Sequence, residues 1–206
     1  MKRLRRRSDL LVSALLLPAV LAGCATAPPP PDDHGQIQTL VTRIHDPAEA
    51  ATVWLLSLMG ERLALMTPVA QSKWNTRSPV EDAPREAALV AAAVKEGQAR
   101  GLPAALTERF FRAQIEAAKQ VQREHFAAWE AAGQKPFPRP RSLQRDLRPK
   151  LDALTKDLLD ALAAVRPQLG GEKSRVALAR HSLALPGQSG VSERAAALAL
   201  EPLRSP

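Results

Sequence analysis

The chain has 206 residues, 45% of them hydrophobic but only 3% aromatic, with no tyrosine, one cysteine and a net charge of +8. Such a length supports one domain with a real core. A single cysteine excludes an intramolecular disulfide, and apolar content carried by Ala and Leu favours helix packed on helix over a sheet. Five bases, Lys2, Arg3, Arg5, Arg6 and Arg7, precede residue 24 against one acid, Asp9, so half of the positive excess belongs to the N-terminus. The remainder forms no basic stripe with interleaved aromatics, so nucleic acid is not an expected partner.

The basic segment leads into an apolar run, Leu10–Ala22, that is short for a bilayer span, and together they predict a signal peptide over residues 1–23. Leu21-Ala22-Gly23-Cys24 resembles a lipobox, which makes Cys24 the expected lipid attachment site. Ordinary cleavage after Ala25-Thr26-Ala27 is the competing reading. Residues 24–35, with Pro28–Pro31, read as an extended tether, and 36–206 as the folded domain. The expected location is therefore outside the inner membrane, periplasmic and tethered, with membrane contact only through the lipid at Cys24.

In the folded part, apolar residues recur at three- and four-residue steps from Ile37 to about Asn75. Pro47 is expected to restart that helix, and Pro68, which lacks a donor and crowds the Ala64 carbonyl, to kink or break it. A second helix starts at Ser78-Pro79-Val80-Glu81 or, equally, at Asp82 ahead of Pro84, and runs to about Arg100 before Gly101. A third spans Pro103 to about Ala132, before Gly133. A proline-rich loop through Pro140 precedes a fourth, Leu143–Leu169, and two short helices follow near Lys173–Leu183 and Ser192–Leu200. The expected fold is all-α, one helical bundle of about four main helices plus two short C-terminal ones.

Phosphate loops and nucleophile elbows are absent from this sequence. His34, His45, His125 and His181 are scattered without metal-ligand spacing and read as surface residues, so neither a metal nor a cofactor is expected. Polar residues on otherwise buried faces stand out instead. Arg62 sits in an apolar run, Lys73 returns to nearly the same face eleven residues on, Arg85 and Glu86 open the second helix, and Gln114, Ala118 and Gln122 follow at steps of four on the third.

Arg62-Leu63-Ala64-Leu65-Met66 with Lys73-Trp74, then Pro79-Val80-Glu81-Asp82 with Arg85-Glu86, then Phe110-Phe111 with Ala113-Gln114-Ile115-Glu116-Ala117-Ala118-Lys119 and Gln122, resemble the all-helical chorismate mutases. The resemblance runs from about Leu55 to Leu159. Together with the signal it points to the exported, gamma class, for which a homodimer is expected. It implies an isomerase that converts chorismate to prephenate without a cofactor.

Chorismate carries two carboxylates, an enol-ether oxygen and a ring hydroxyl, and its rearrangement is pericyclic, without proton transfer. The resemblance implies Arg62 and Arg148 as carboxylate contacts, Arg148 coming from Arg148-Pro149-x-Leu151-Asp152 in the same chain. It gives Arg85 a further carboxylate contact, and Lys73 and Gln122 the role of donors to the ether oxygen. Glu86 would accept from the hydroxyl beside the backbone of Asp82. Ala118 replaces a hydroxyl residue of some relatives, at a cost of about 1 kcal/mol in a hydrogen bond. Trp74, Phe110 and Phe111 read as core. The alternative is a non-catalytic helical envelope lipoprotein that binds a partner or a dianionic ligand.

Overall fold

A computed structural model describes residues 46–182, 185 and 190–204; the signal, Cys24, the tether, His34 and His45 lie outside them. Among the described residues every regular element is helical, as the composition demands. Helix α1, Pro47–Ala64, starts where Pro47 was expected to restart it, with Asp46 Oδ1 accepting from Ala48 N at 2.8 Å. Its Thr52, Leu55, Leu56, Met59 and Leu63 form one buried stripe.

Helix α2, Met66–Thr76, is separated from α1 by Leu65 alone. Pro68 offers the Ala64 carbonyl no hydrogen, so the helical ladder is interrupted at that point. Helix α3, Ala83–Ala99, uses the second of its two expected starts. Asp82 Oδ1 accepts from Arg85 N at 3.3 Å, and Glu86 Oε1 accepts from Asp82 N at 3.0 Å, a reciprocal cap that Ser78 does not form. Ser78 Oγ lies 2.9 Å from Thr76 Oγ1 instead, which leaves 77–82 as a loop.

Helix α4, Ala104–Ala131, is the longest, and Gly101 and Gly133 stop α3 and α4 with positive φ, as expected. Gly97 lets α3 cross α4 closely: a Cβ there would stand 2.8 Å from Thr107 Oγ1. The single fourth helix is instead three segments. A π-helical turn at Leu143–Leu147 leads into α5, Arg148–Val165, and a 3-10 turn at Arg166–Gln168 closes it. Pro149 and Pro167 each lack a donor, and the backbone changes pitch beside each.

Helix α6, Glu172–His181, matches its expectation closely. Helix α7, Glu193–Arg204, runs four residues past Leu200, through Pro202. Its face of Ala195, Ala196, Ala199, Leu200 and Leu203 stays buried to the end, and that packing outweighs one lost backbone bond. Helix α1 packs against α5 and α6, and α4 against α2, α3 and α7. Phe110 and Phe111 are fully buried core, as expected, with rings 5.3 Å apart edge to face. Trp74 is not: it is half-buried in a second cluster with Phe126 and Trp129, because α2 ends at the surface there. His125 and His181 are also half-buried rather than free at the surface, bonded to Thr67 at 2.8 Å and Glu49 at 2.7 Å.

Candidate active site

One cavity of about 120 Å3, open at its mouth, lies between α1, α2, α3, α4 and the start of α5. Its wall contains all eight site residues that the family resemblance implies: Arg62, Lys73, Asp82, Arg85, Glu86, Ala118, Gln122 and Arg148. The interruption at Leu65 places Arg62 and Lys73 on separate helices along that wall. The cap at Asp82 brings Asp82, Arg85 and Glu86 to the α3 end, and the π-helical turn delivers Arg148 opposite. Met66, Val69, Leu89, Ile115 and Leu151 supply an apolar floor.

Arg62 is 4% exposed, and its Nε and Nη1 are buried with no hydrogen-bond partner. Burial drives its guanidinium down to about 10, opposed only by the charge of Asp152. A buried cation with orphaned donors is costly unless an anion completes it. Lys73 donates to Val80 O at 2.6 Å and keeps two further hydrogens. Burial lowers its ammonium below the ordinary lysine range, outweighing the nearby Asp82, Glu86 and Glu81.

The other cations of the wall are matched to acids. Arg85 Nη2 lies 2.8 Å from Asp152 Oδ1, Arg148 Nη2 3.8 Å from Asp82 Oδ2, and Lys119 Nζ 3.0 Å from Glu86 Oε2. Burial raises the Glu86 carboxyl, but the Asp82 N–H and the Lys119 ammonium together hold it below the usual carboxylate range. The Asp82 N–H expected beside the ligand hydroxyl is thus engaged by Glu86. Gln122 is buried; its Nε2 donates to Ala118 O at 3.0 Å and lies 3.6 Å from Met66 Sδ, while Oε1 has no partner.

Gln114, on the same sequence stripe, is not part of the wall: its Nε2 donates to Ala199 O of α7 at 3.0 Å. Two charged lining residues were not singled out as candidates, Lys119 and Asp152. The stripe Ile115, Ala118, Lys119, Gln122, at i, i+3, i+4, i+7, was the available signal for Lys119. Among the described residues no group of His, Cys, Asp and Glu is arranged to hold a metal.

The chorismate mutase type II family model matches residues 53–123, which carry four of the five cations of the wall. The secreted chorismate mutase of Mycolicibacterium smegmatis is 28% identical over 117 residues, 56% of this chain; the match spans 63% of that relative's length. Solved crystal structures share the fold. Chorismate mutase from Burkholderia phymatum is 29% identical at a TM-score of 0.69, covering 77% of this chain and 98% of that one. Chorismate mutase from Burkholderia thailandensis is 36% identical at a TM-score of 0.69, covering 74% of this chain and 98% of that one. A chain that matches nearly the whole of a relative at that identity, in sequence and in helical arrangement, belongs to the chorismate mutase family.

Proposed function

We propose that this chain is an isomerase that rearranges chorismate to prephenate in the cavity, without a cofactor. One observation carries the reading. Of five cations in the wall, three have a carboxylate partner, and among the described residues Arg62 and Lys73 have none within ion-pair distance. The wall also holds three acids, Asp82, Glu86 and Asp152, so its charge comes to +2, the complement of a dianion.

Arg62 receives one carboxylate through its two unpartnered nitrogens, and Arg85 and Arg148 at the mouth exchange an acid for the ligand. Lys73 and the Gln122 amide donate toward the ether oxygen, where negative charge builds as the bond breaks. In the present side-chain arrangement the free Gln122 atom is Oε1, so this role requires the amide to release Ala118 O or turn over. Glu86, ionised, accepts from the ring hydroxyl. The apolar floor and the paired charges hold the reactive conformer, which is most of the work in a reaction without proton transfer.

The basic leader, the lipobox-like run to Cys24 and the secreted relative support export, with the lipid at Cys24 as tether and residues 36–206 as the folded unit. Dimerisation is part of the same reading, and it leaves the site complete in one chain because Arg148 lies on it. The experiment is the loss of chorismate absorbance with purified protein and with Lys73→Ala. Turnover by the parent and a collapse of kcat in the variant support the proposal; no turnover by the parent sinks it.

A further inference from the structure

Lys119 lines the cavity from α4, yet its side chain is only 12% exposed. A lysine with a merely solvating role extends its ammonium into water. Here Nζ is held 3.0 Å from Glu86 Oε2 and 2.6 Å from Glu116 Oε1. Its charge is therefore matched inside the protein, unlike those of Arg62 and Lys73, and a ligand carboxylate at Lys119 would have to displace both acids.

Glu86 is held at each oxygen, Oε1 by the Asp82 N–H at 3.0 Å and Oε2 by Lys119. Each carboxylate oxygen has a second lone pair, so a pinned carboxylate still accepts from a hydroxyl. The remaining charges near Glu86 have other partners or none bound to it. Glu81 of the preceding loop is paired with Arg123 at 2.6 Å, Lys73 of α2 donates to Val80 O, and Arg148 and Asp152 of α5 face Asp82 and Arg85.

We propose that Lys119 is a positioning residue that fixes the orientation and the ionised form of Glu86 toward the ring hydroxyl, without touching the substrate. The proposal rests on the chorismate reading for the hydroxyl, but the Lys119–Glu86 link is measurable without it. Two readouts on the full chain test it: titration of the Glu86 carboxyl by carbon-13 NMR, and the pH profile of kcat/KM. In Lys119→Met the Glu86 titration moves to higher pH, the acid limb of the profile moves with it, and kcat falls on the order of tenfold from a misaligned acceptor. Lys119→Arg restores both.

A rise in KM alone with the Glu86 titration unmoved would overturn the proposal, because it would make Lys119 a direct carboxylate contact. It would equally be overturned if Lys119→Arg melted like the parent but kept the shifted acid limb of Lys119→Met. A parent chain that showed no turnover, yet whose Glu86 titration rose in Lys119→Met, would leave the link intact and count against the chorismate reading alone.

Discussion

Helix α4 buries two glutamines eight residues apart on one stripe, and they meet opposite surroundings. Gln114 faces α7, a helix of Ala and Leu, and spends its amide on the Ala199 carbonyl at 3.0 Å. Gln122 faces Met66 and a wall that carries Arg62 and Lys73; its Nε2 donates to Ala118 O of its own helix and lies 3.6 Å from Met66 Sδ, while its Oε1 has no partner. At one end a packed neighbour closes the groove; at the other the interruption at Leu65 and the loop 77–82 leave it open. The same residue in the same periodic slot thus clasps a neighbouring helix or faces an open cavity, according to what the facing helix brings.

The largest effect should fall at the open end. Lys73→Ala is expected to lower kcat on the order of 10²–10³-fold, the usual cost of one preorganised donor at a developing oxyanion. Arg62→Ala should act mainly on KM, by roughly 10–100-fold, as fits a charge-assisted contact present before the reaction. Steady-state kinetics separate the two, and equal effects on kcat from both would erase the distinction between them.

Gln122→Glu replaces a donor by an acceptor at neutral pH. Its kcat/KM should fall about 10²-fold near pH 7 and recover as the pH drops and the carboxyl becomes a donor. The parent should instead hold a broad plateau. Glu86 sits below the usual carboxylate range, so the acid limb lies low. Lys73 must stay charged and is depressed by burial, so activity is lost as the pH rises through a value below the ordinary lysine range. An alkaline limb at or above the ordinary lysine range would break that assignment.

At the closed end the effects should be on stability. Gln114→Ala removes a buried bond worth about 2 kcal/mol, which corresponds to roughly 4–8 °C in Tm for a chain of this size. Its kcat and KM at low temperature should stay at the parent values. Smaller still, Gly97→Ala pushes a Cβ to 2.8 Å from Thr107 Oγ1, at a cost of about 1–2 kcal/mol in melting, with the cavity untouched.

Helix positions were legible in the sequence because proline and glycine punctuate it: Pro47, Pro68, Gly101 and Gly133 each act where expected. The start of α3 was open between two caps, and only the reciprocal bonds of Asp82 and Glu86 decide it. The change of pitch around α5 and the run of α7 through Pro202 depend on tertiary packing, which no local pattern carries. Eight candidate residues line one cavity; helical spacing had already set Arg62, Lys73, Arg85, Glu86, Ala118 and Gln122 on faces that should be buried, whereas Arg148 and Asp82 came from the family resemblance alone. Gln114 was grouped with them by the same arithmetic, since a stripe says which side a residue faces but not which helix fills that side. Lys119 was hidden for a related reason: a lysine three residues after Glu116 reads as a surface pair until Glu86 is brought against it.

The proposed function makes the open end of α4 a reagent and the closed end a clasp. Chorismate consumption is followed for the parent, Gln122→Ala and Gln114→Ala, with each variant confirmed folded by its melting curve. Turnover by the parent, a loss in Gln122→Ala on the order of 10²-fold without a matching loss of stability, and parent-like kinetics in Gln114→Ala are expected. Equal kinetic losses in the two variants, or no turnover by the parent, would contradict that reading.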